Sequence, residues 1–388
     1  MPPRHAAFAE SEHRERLGRA RKVMAEAGIA ACVCVAPEDL YYFGGYDSWV
    51  GVNSPQALIF TPGEDEPTIV VRNVDRPLVT ETAWVGDIRT YHMHRDDPAA
   101  LIAQVVAEKG AEGGVLGIEA QSYALTWDWG RTLERALAPS QMIDVTTLLG
   151  DLRWFKSPAE VACIRRAAGF AGIGLEAARA TLRPGISEIA WAAEIEAAMR
   201  RAGSDFWAIP IELAGGPRGA GGHATPRERI IESGDMLHVE FAGVDKRYHV
   251  VALPTLAAGE PSGEARDLYE VTRQSLVAGI EAIRPGAPVA EVEEASLEPL
   301  RRAGLEHAAM MRFGYGIGIA YPPIWLETLQ ISRGIDQRLS PGMAFVLHAC
   351  VTLEDSGLGA VLGGTYMLHE DGLEMLVGPG DVPLEVIG

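Results

Sequence analysis

The sequence predicts an α/β N-terminal domain followed by an α+β C-terminal domain that carries an internal pseudo-two-fold repeat. Strand-like apolar runs alternate with helical periodicity up to about residue 150, a strong helix start at residue 157 opens a new pattern, and one order of elements then occurs twice. The length agrees, since 388 residues suit two domains of about 100–200 residues each.

Ser11 to Gly28 reads as an amphipathic helix ended by glycine. Ala30 to Ala36 reads as a strand, with Cys32 and Cys34 alternating with apolar residues as in a buried, reduced segment. Further strands are expected at Gln56 to Thr61, Thr68 to Val74 and Gly114 to Glu119, with a helix at Leu101 to Lys109. Such alternation argues α/β. A boundary near Asp151 to Ser157 gives domains 1–150 and 151–388. There Ser157-Pro158-Ala159-Glu160 is a capping box with proline at the first helical position. The helix it opens should run to about Leu182, where Arg183-Pro184-Gly185 stops it. Ser157 is therefore structural.

The repeat follows. Leu182-Arg183-Pro184-Gly185 leads to Arg200-Arg201-Ala202-Gly203, and Ile283-Arg284-Pro285-Gly286 leads to Arg301-Arg302-Ala303-Gly304, both pairs offset by 101 residues. Each copy is preceded by a long helix, Ala159 to Thr181 and Ala265 to Ala282. Each is followed by a glycine-led strand, Gly234 to Phe241 and Gly342 to Val351. Two copies are too few for a solenoid. They suit a pseudo-symmetric domain with a site between its halves, with Glu240 and His348 at equivalent places.

Hydrophobic residues at 47% and charged residues at 22% allow a sizeable core. A formal charge of −19 excludes a nucleic-acid binder and disfavours anionic membranes. Four cysteines, with no CxxC pair, make neither a disulfide framework nor a zinc ribbon. Met1 to Ala20 lacks the apolar core of a signal peptide, and no apolar run reaches the ~20 residues that span a bilayer. A cytoplasmic soluble enzyme or binding protein is expected.

Candidate chemistry lies in the second domain. His223 sits in a glycine-rich loop, Gly215 to Pro226, where backbone can approach a ligand closely; a solvated surface histidine is the alternative. In Met236 to Phe241, His238 and Glu240 share one strand face, and a carboxylate there costs free energy unless it is partnered or used. The alternative is a half-exposed strand with its polar side in water. Tyr248 and His249 should return on the partner strand of a hairpin through Gly243 to Lys246. Gly314 to Gly318 and Tyr321 to Glu327 read as a glycine and aromatic loop suited to a pocket wall. No GxSxG elbow exists, and Cys350, two residues beyond His348, reads as an inert buried thiol.

These residues together resemble the creatinase/aminopeptidase P superfamily, whose catalytic domain has the pita-bread fold. The resemblance is carried by Lys156-Ser157-Pro158-Ala159-Glu160, the paired Arg-Pro-Gly turns, Gly234-Asp235, Pro341-Gly342-Met343 and His369-Glu370-Asp371-Gly372. Gly45-Tyr46-Asp47-Ser48-Trp49, Glu240-Phe241-Ala242-Gly243, Arg247-Tyr248-His249 and Tyr321-Pro322-Pro323-Ile324-Trp325 are similar to the ectoine hydrolase-like, metal-free branch. Peptidases of the superfamily bind two metal ions through two Asp, one His and two Glu. The resemblance places Glu240, Val251, Tyr315, His348 and Gly363 at those positions, which implies no metal and no cofactor. The sequence departs from the ectoine group at Ile324, where Asp is usual, and near Gly363, where Glu is usual.

The implied function is a metal-independent hydrolase cleaving a C–N bond in a small zwitterionic amidine, guanidine or cyclic amide. Its expected catalytic residues are His223, Glu240 and His348, with Glu240 as nucleophile or base and His223 as proton shuttle. Its expected substrate-binding residues are Tyr46, Trp49, Trp207, Tyr248, His249, Tyr315, Tyr321 and Glu327. Tyr46 and Trp49 would serve the partner's site in a homodimer. The alternatives are a repurposed lyase, isomerase or cyclase on the same scaffold, and a non-catalytic binding protein.

Overall fold

The computed structural model describes residues 5–388, so the first four positions of the Met1 to Ala20 stretch lie outside it. The chain divides into two compact units, one ending at Arg153 and one running from Trp154 to Gly388.

The N-terminal unit holds strands β1 (Ala31–Cys34), β2 (Ala57–Phe60), β3 (Thr68–Arg72), β4 (Asp87–Tyr91), β5 (Val115–Ile118) and β6 (Gln141–Asp144). They form one sheet in the order β4-β3-β2-β1-β5-β6. β5 runs parallel to β1 and β6, whereas β2 runs antiparallel to both its neighbours. β1 and β2 are buried at every residue, as expected for central strands covered on both faces. The helices are α1 (Glu10–Glu26), α2 (Pro37–Gly44), α3 (Arg76–Thr82), α4 (Pro98–Glu108), α5 (Trp127–Ala136) and α6 (Thr146–Gly150). α4 begins before the expected Leu101 because the Asp97 side chain accepts from the Ala99 and Ala100 amides and Pro98 follows it. β3 stops at Arg72, where Asn73–Asp75 makes a turn of 3-10 helix in place of the expected strand end.

The C-terminal unit repeats one construction. α7 (Pro158–Thr181) and α8 (Glu188–Ala202) precede β7 (Glu212–Gly215), β8 (Asp235–Asp245), β9 (Tyr248–Leu253) and β10 (Thr255–Ala258). α9 (Gly263–Glu281) and α10 (Val289–Arg302) precede β11 (Gly314–Tyr321), β12 (Ile324–Ile331), β13 (Ala344–Leu353), β14 (Leu358–His369), β15 (Gly372–Val377) and β16 (Glu385–Ile387). The strands join one sheet in the order β12-β11-β13-β14-β9-β8-β10-β16, with β15 on β14 and β7 on β8. The capping box at Ser157 is formed in both directions. Gly185 and Gly286, the repeated Arg-Pro-Gly glycines, have φ of 90° and 82°, which favours glycine and gives both helix pairs the same turn.

Strand parity separates packing from chemistry. On β8, Phe241 and Gly243 face α7, the former against Gly174 and the latter against the backbone of Ala167. On β13, Phe345, Leu347, Ala349 and Val351 join the core with Leu268 and Leu276 of α9 and Val292 of α10. Glu240 and His348 have the opposite parity, so both point away from the helices. The expected loop at residues 314–327 is instead the antiparallel pair β11 and β12, turning at Pro322-Pro323. Its glycines admit close neighbours within a sheet and do not mark irregular chain. Nor is β8 half in water: every residue from Asp235 to Val239 is buried.

Candidate active site

A cavity of about 610 Å³ opens on the face of the sheet that the helices do not cover. Its polar lining comes from six segments of chain: Glu212 on β7, His223 on the following loop, Glu240 on β8, Arg312 before β11, Tyr315 on β11 and His348 on β13. Ile209, Leu253, Met311, Ile324, Trp325 and Val361 supply apolar and aromatic wall. Glu240, Tyr315 and His348 form the deep part, whereas His223 and Arg312 are exposed at the mouth.

A hydrogen-bond chain fixes the floor. The Trp325 indole donates to the Tyr315 hydroxyl at 3.0 Å, and that hydroxyl donates to Glu240 Oε1 at 3.2 Å. Burial, then the neighbouring Glu212 carboxylate, pushes Glu240 up to about 8 despite the tyrosine bond. Burial alone pushes Glu212 up to about 7. Burial also holds His348 down to about 3, with Arg312 and His223 adding to it, so its ring is neutral at ordinary pH. His348 Nδ1 lies 3.1 Å from Cys350 Sγ. Burial, Glu240 and Glu212 raise the Cys350 thiol, which keeps its proton beside Nδ1. The thiol as donor to Nδ1 would place the ring proton on Nε2, the tautomer that leaves Nε2–H to act as a donor.

The other sequence-predicted residues go elsewhere. Tyr248 lies on the helix side of β9, where its hydroxyl donates to Glu160 Oε1 at 2.7 Å under the start of α7. His249 is fully buried behind Trp325, with their rings 6.1 Å apart. Its Nε2 accepts from the Ala208 amide at 3.0 Å and its Nδ1 donates to the Arg247 carbonyl at 2.8 Å, leaving no atom for substrate. Glu327 is buried in an ion pair, 2.8 Å from Lys156 Nζ through each oxygen, and does not line the cavity. Tyr321 is buried in the sheet near the Arg247 guanidinium, and Trp207 stacks on Arg200 at 4.7 Å; neither lines the cavity. In the N-terminal unit Tyr46 is a core residue with 1% exposure, whereas Trp49 is 56% exposed. His238, on the Glu240 face, donates from Nε2 to the Gly219 carbonyl at 2.9 Å and so ties down the loop that carries His223.

Sequence reasoning missed Glu212, Arg312 and Trp325 as a donor to Tyr315. Glu212 has a signal only in register: it is the direct cross-strand partner of Glu240.

The residues present do not fit a dinuclear metal centre. Val251 and Gly363 stand where the resemblance puts carboxylate ligands. Gly363 is the register partner of His348. A Cβ added at Gly363 would overlap the Leu347 carbonyl oxygen and stand 2.7 Å from the His348 Cβ, so no carboxylate fits there on this backbone. Among the described residues, the group of three metal-type donors close together is Cys34, Asp39 and Glu119, in the N-terminal unit. Arg153 already pairs with Asp39, and the Val35 and Ala36 amides donate to Glu119.

Comparison with known proteins agrees with this architecture. Residues 162–370 match the metallopeptidase family M24, and residues 16–154 match the creatinase/prolidase N-terminal domain. An ectoine hydrolase from Halomonas elongata is 28% identical, covering 95% of this chain and 96% of its own. A creatinase from a Bacillus species is 26% identical over 94% of this chain and 88% of its own. A prolidase structure from Thermococcus sibiricus superposes with a TM-score of 0.87 at 20% identity, covering 96% of this chain and 99% of its own, and so shares the fold. The chain therefore belongs to the M24 family within the creatinase/aminopeptidase P superfamily, as a creatinase-type N-terminal domain followed by a pita-bread domain.

Proposed function

We propose that this hydrolase-family chain acts without metal on a non-peptide C–N bond, in a small amidine, guanidine or cyclic amide of zwitterionic character. The observation that carries the reading is the meeting of Glu240, Tyr315, His348 and His223 on one cavity whose remaining wall is largely apolar. The names of two relatives, an ectoine hydrolase and a creatinase, point to the same class of small substrate.

In this mechanism ionised Glu240 takes a proton from a water molecule, which attacks the electrophilic carbon. The new C–O bond forms, the C–N bond breaks, and His223 at the mouth delivers a proton to the leaving nitrogen. His348 Nε2–H meets negative charge developing on oxygen. A neutral His348 serves as this donor better than as a proton-transfer base, because its ring resists protonation. In a cytoplasmic homodimer the exposed Trp49 would be the residue offered to the partner's cavity.

Turnover should survive exhaustive chelation, and Glu240→Gln should abolish it while leaving the melting temperature at or above that of the wild type. Activity lost to chelator and restored by one metal ion would sink the proposal. Reaction in heavy-oxygen water separates hydrolysis, which labels the product, from elimination or isomerisation by the same residues, which does not.

A further inference from the structure

The cavity contains ionisable groups of both signs, and among the described residues neither its carboxyl groups nor its guanidinium has an ion-pair partner. Glu212 and Glu240 are direct register partners on antiparallel strands, so their Cβ atoms stand about 5 Å apart on one sheet face. Like charges placed this way oppose folding, more so away from water. Yet among the described residues neither carboxylate forms an ion pair, and the one hydrogen bond to Glu240 comes from a neutral tyrosine. Arg312 lines the same cavity at its exposed mouth, over the Tyr315 ring at 5.6 Å, also without an ion pair. A pair of carboxyl groups inside and a guanidinium at the mouth, none with a counter-charge from the described residues, describe a ligand by complement.

We propose that Glu212 is a specificity-determining, substrate-binding residue: with Glu240 it seats the cationic head of the substrate, while Arg312 at the mouth takes a carboxylate. A planar amidinium or guanidinium presents several N–H donors in one plane and can engage both carboxylates at once. A substrate cation also supplies the charge that ionises Glu240, so the ligand that belongs in the cavity switches on the base. The assignment rests on the hydrolase reading of the cavity and deepens it by fixing the charge pattern and direction of the substrate.

Calorimetric titration of the full chain with guanidinoacetate, methylguanidine and acetate tests it. The wild type should bind guanidinoacetate more tightly than either fragment. Glu212→Gln should weaken guanidinoacetate and methylguanidine by about tenfold or more and leave acetate unaffected. Arg312→Gln should weaken guanidinoacetate and acetate and spare methylguanidine, bringing guanidinoacetate down toward methylguanidine. Glu212→Asp, which keeps the charge, should recover most of the affinity lost in Glu212→Gln and guards against a fold defect. Binding in Glu212→Gln within about twofold of the wild type overturns the proposal. So does a Glu212→Asp variant no better than Glu212→Gln, or a wild type that binds none of the three probes. Because binding is read without turnover, Glu212-dependent binding with no heavy-oxygen incorporation removes the hydrolase reading and keeps this one. Hydrolysis indifferent to Glu212→Gln does the reverse.

Discussion

A carboxyl group held near pH 8 is mostly protonated in neutral solution, so Glu240 reaches its reactive form only when something pays for the charge. In the free enzyme that is hydroxide; in the complex it is the substrate. The two states should therefore differ in pH dependence. The free-enzyme profile, kcat/KM, should rise with pH through about 8, since deprotonation creates the base. The kcat profile on a cationic substrate should have its rising limb at lower pH. Glu212→Gln removes the like charge beside Glu240 and should move the kcat/KM limb to lower pH. Steady-state rates on one substrate from pH 5 to 10 check both; a limb that does not move would show that the two carboxylates do not interact. Because the pair is coupled, the observed limb belongs to both groups together.

At the scale of elements, the entry into the second domain is held by side chains outside the cavity. Lys156 immediately precedes the capping box of α7, and its ammonium pairs with Glu327 on β12, both groups buried. Removing one partner breaks the ion pair and leaves the other group buried. Lys156→Met should cost about 3–5 kcal/mol, while Lys156→Met with Glu327→Leu should regain most of it, since apolar groups replace a buried pair at little net cost. Urea titration of the two single variants and the double variant measures the coupling. The same segments show what the sequence could reveal. α7 was legible because its start is local: serine, proline and glutamate at fixed spacing satisfy the helix's own amides. The β11–β12 hairpin was not, because glycines, prolines and aromatics there serve close packing between strands while resembling loop composition. Tyr248 and His249 were correctly expected on a strand returning beside Glu240. Their side chains go elsewhere because the hydrogen bonds to Glu160 and Ala208 are set by tertiary contacts. Glu212 acquires meaning only from a strand register that no local pattern encodes.

For the molecule as a whole, the buried titratable groups of the C-terminal unit pull stability in opposite directions with pH. Glu212 and Glu240 have their folded values raised to about 7 and about 8 from an ordinary 4.5. The fold binds their protons more tightly than the unfolded chain does. Their contribution is complete below 4.5 and is lost as pH rises through 7 and 8. His238 and His249 are lowered to about 4 and His348 to about 3 from an ordinary 6.5, all chiefly by burial. Their contribution is complete above 6.5 and is lost as pH falls toward those values. Together these groups favour the fold most at about pH 6–6.5. The melting temperature should fall on both sides of that window, by about 2–4 °C for each kcal/mol lost in a domain of this size. The alkaline limb comes from the cavity carboxylates, so Glu212→Gln should flatten it and leave the acid limb in place. The acid limb comes from histidines of which two, His238 and His249, are packing residues, so no substitution confined to the cavity should remove it. Scanning calorimetry from pH 4 to 9 on the wild type and Glu212→Gln decides the matter. An alkaline limb unchanged in the variant would mean that Glu212 is already neutralised in the fold, and the unmet charge that gives the cavity its polarity would be absent.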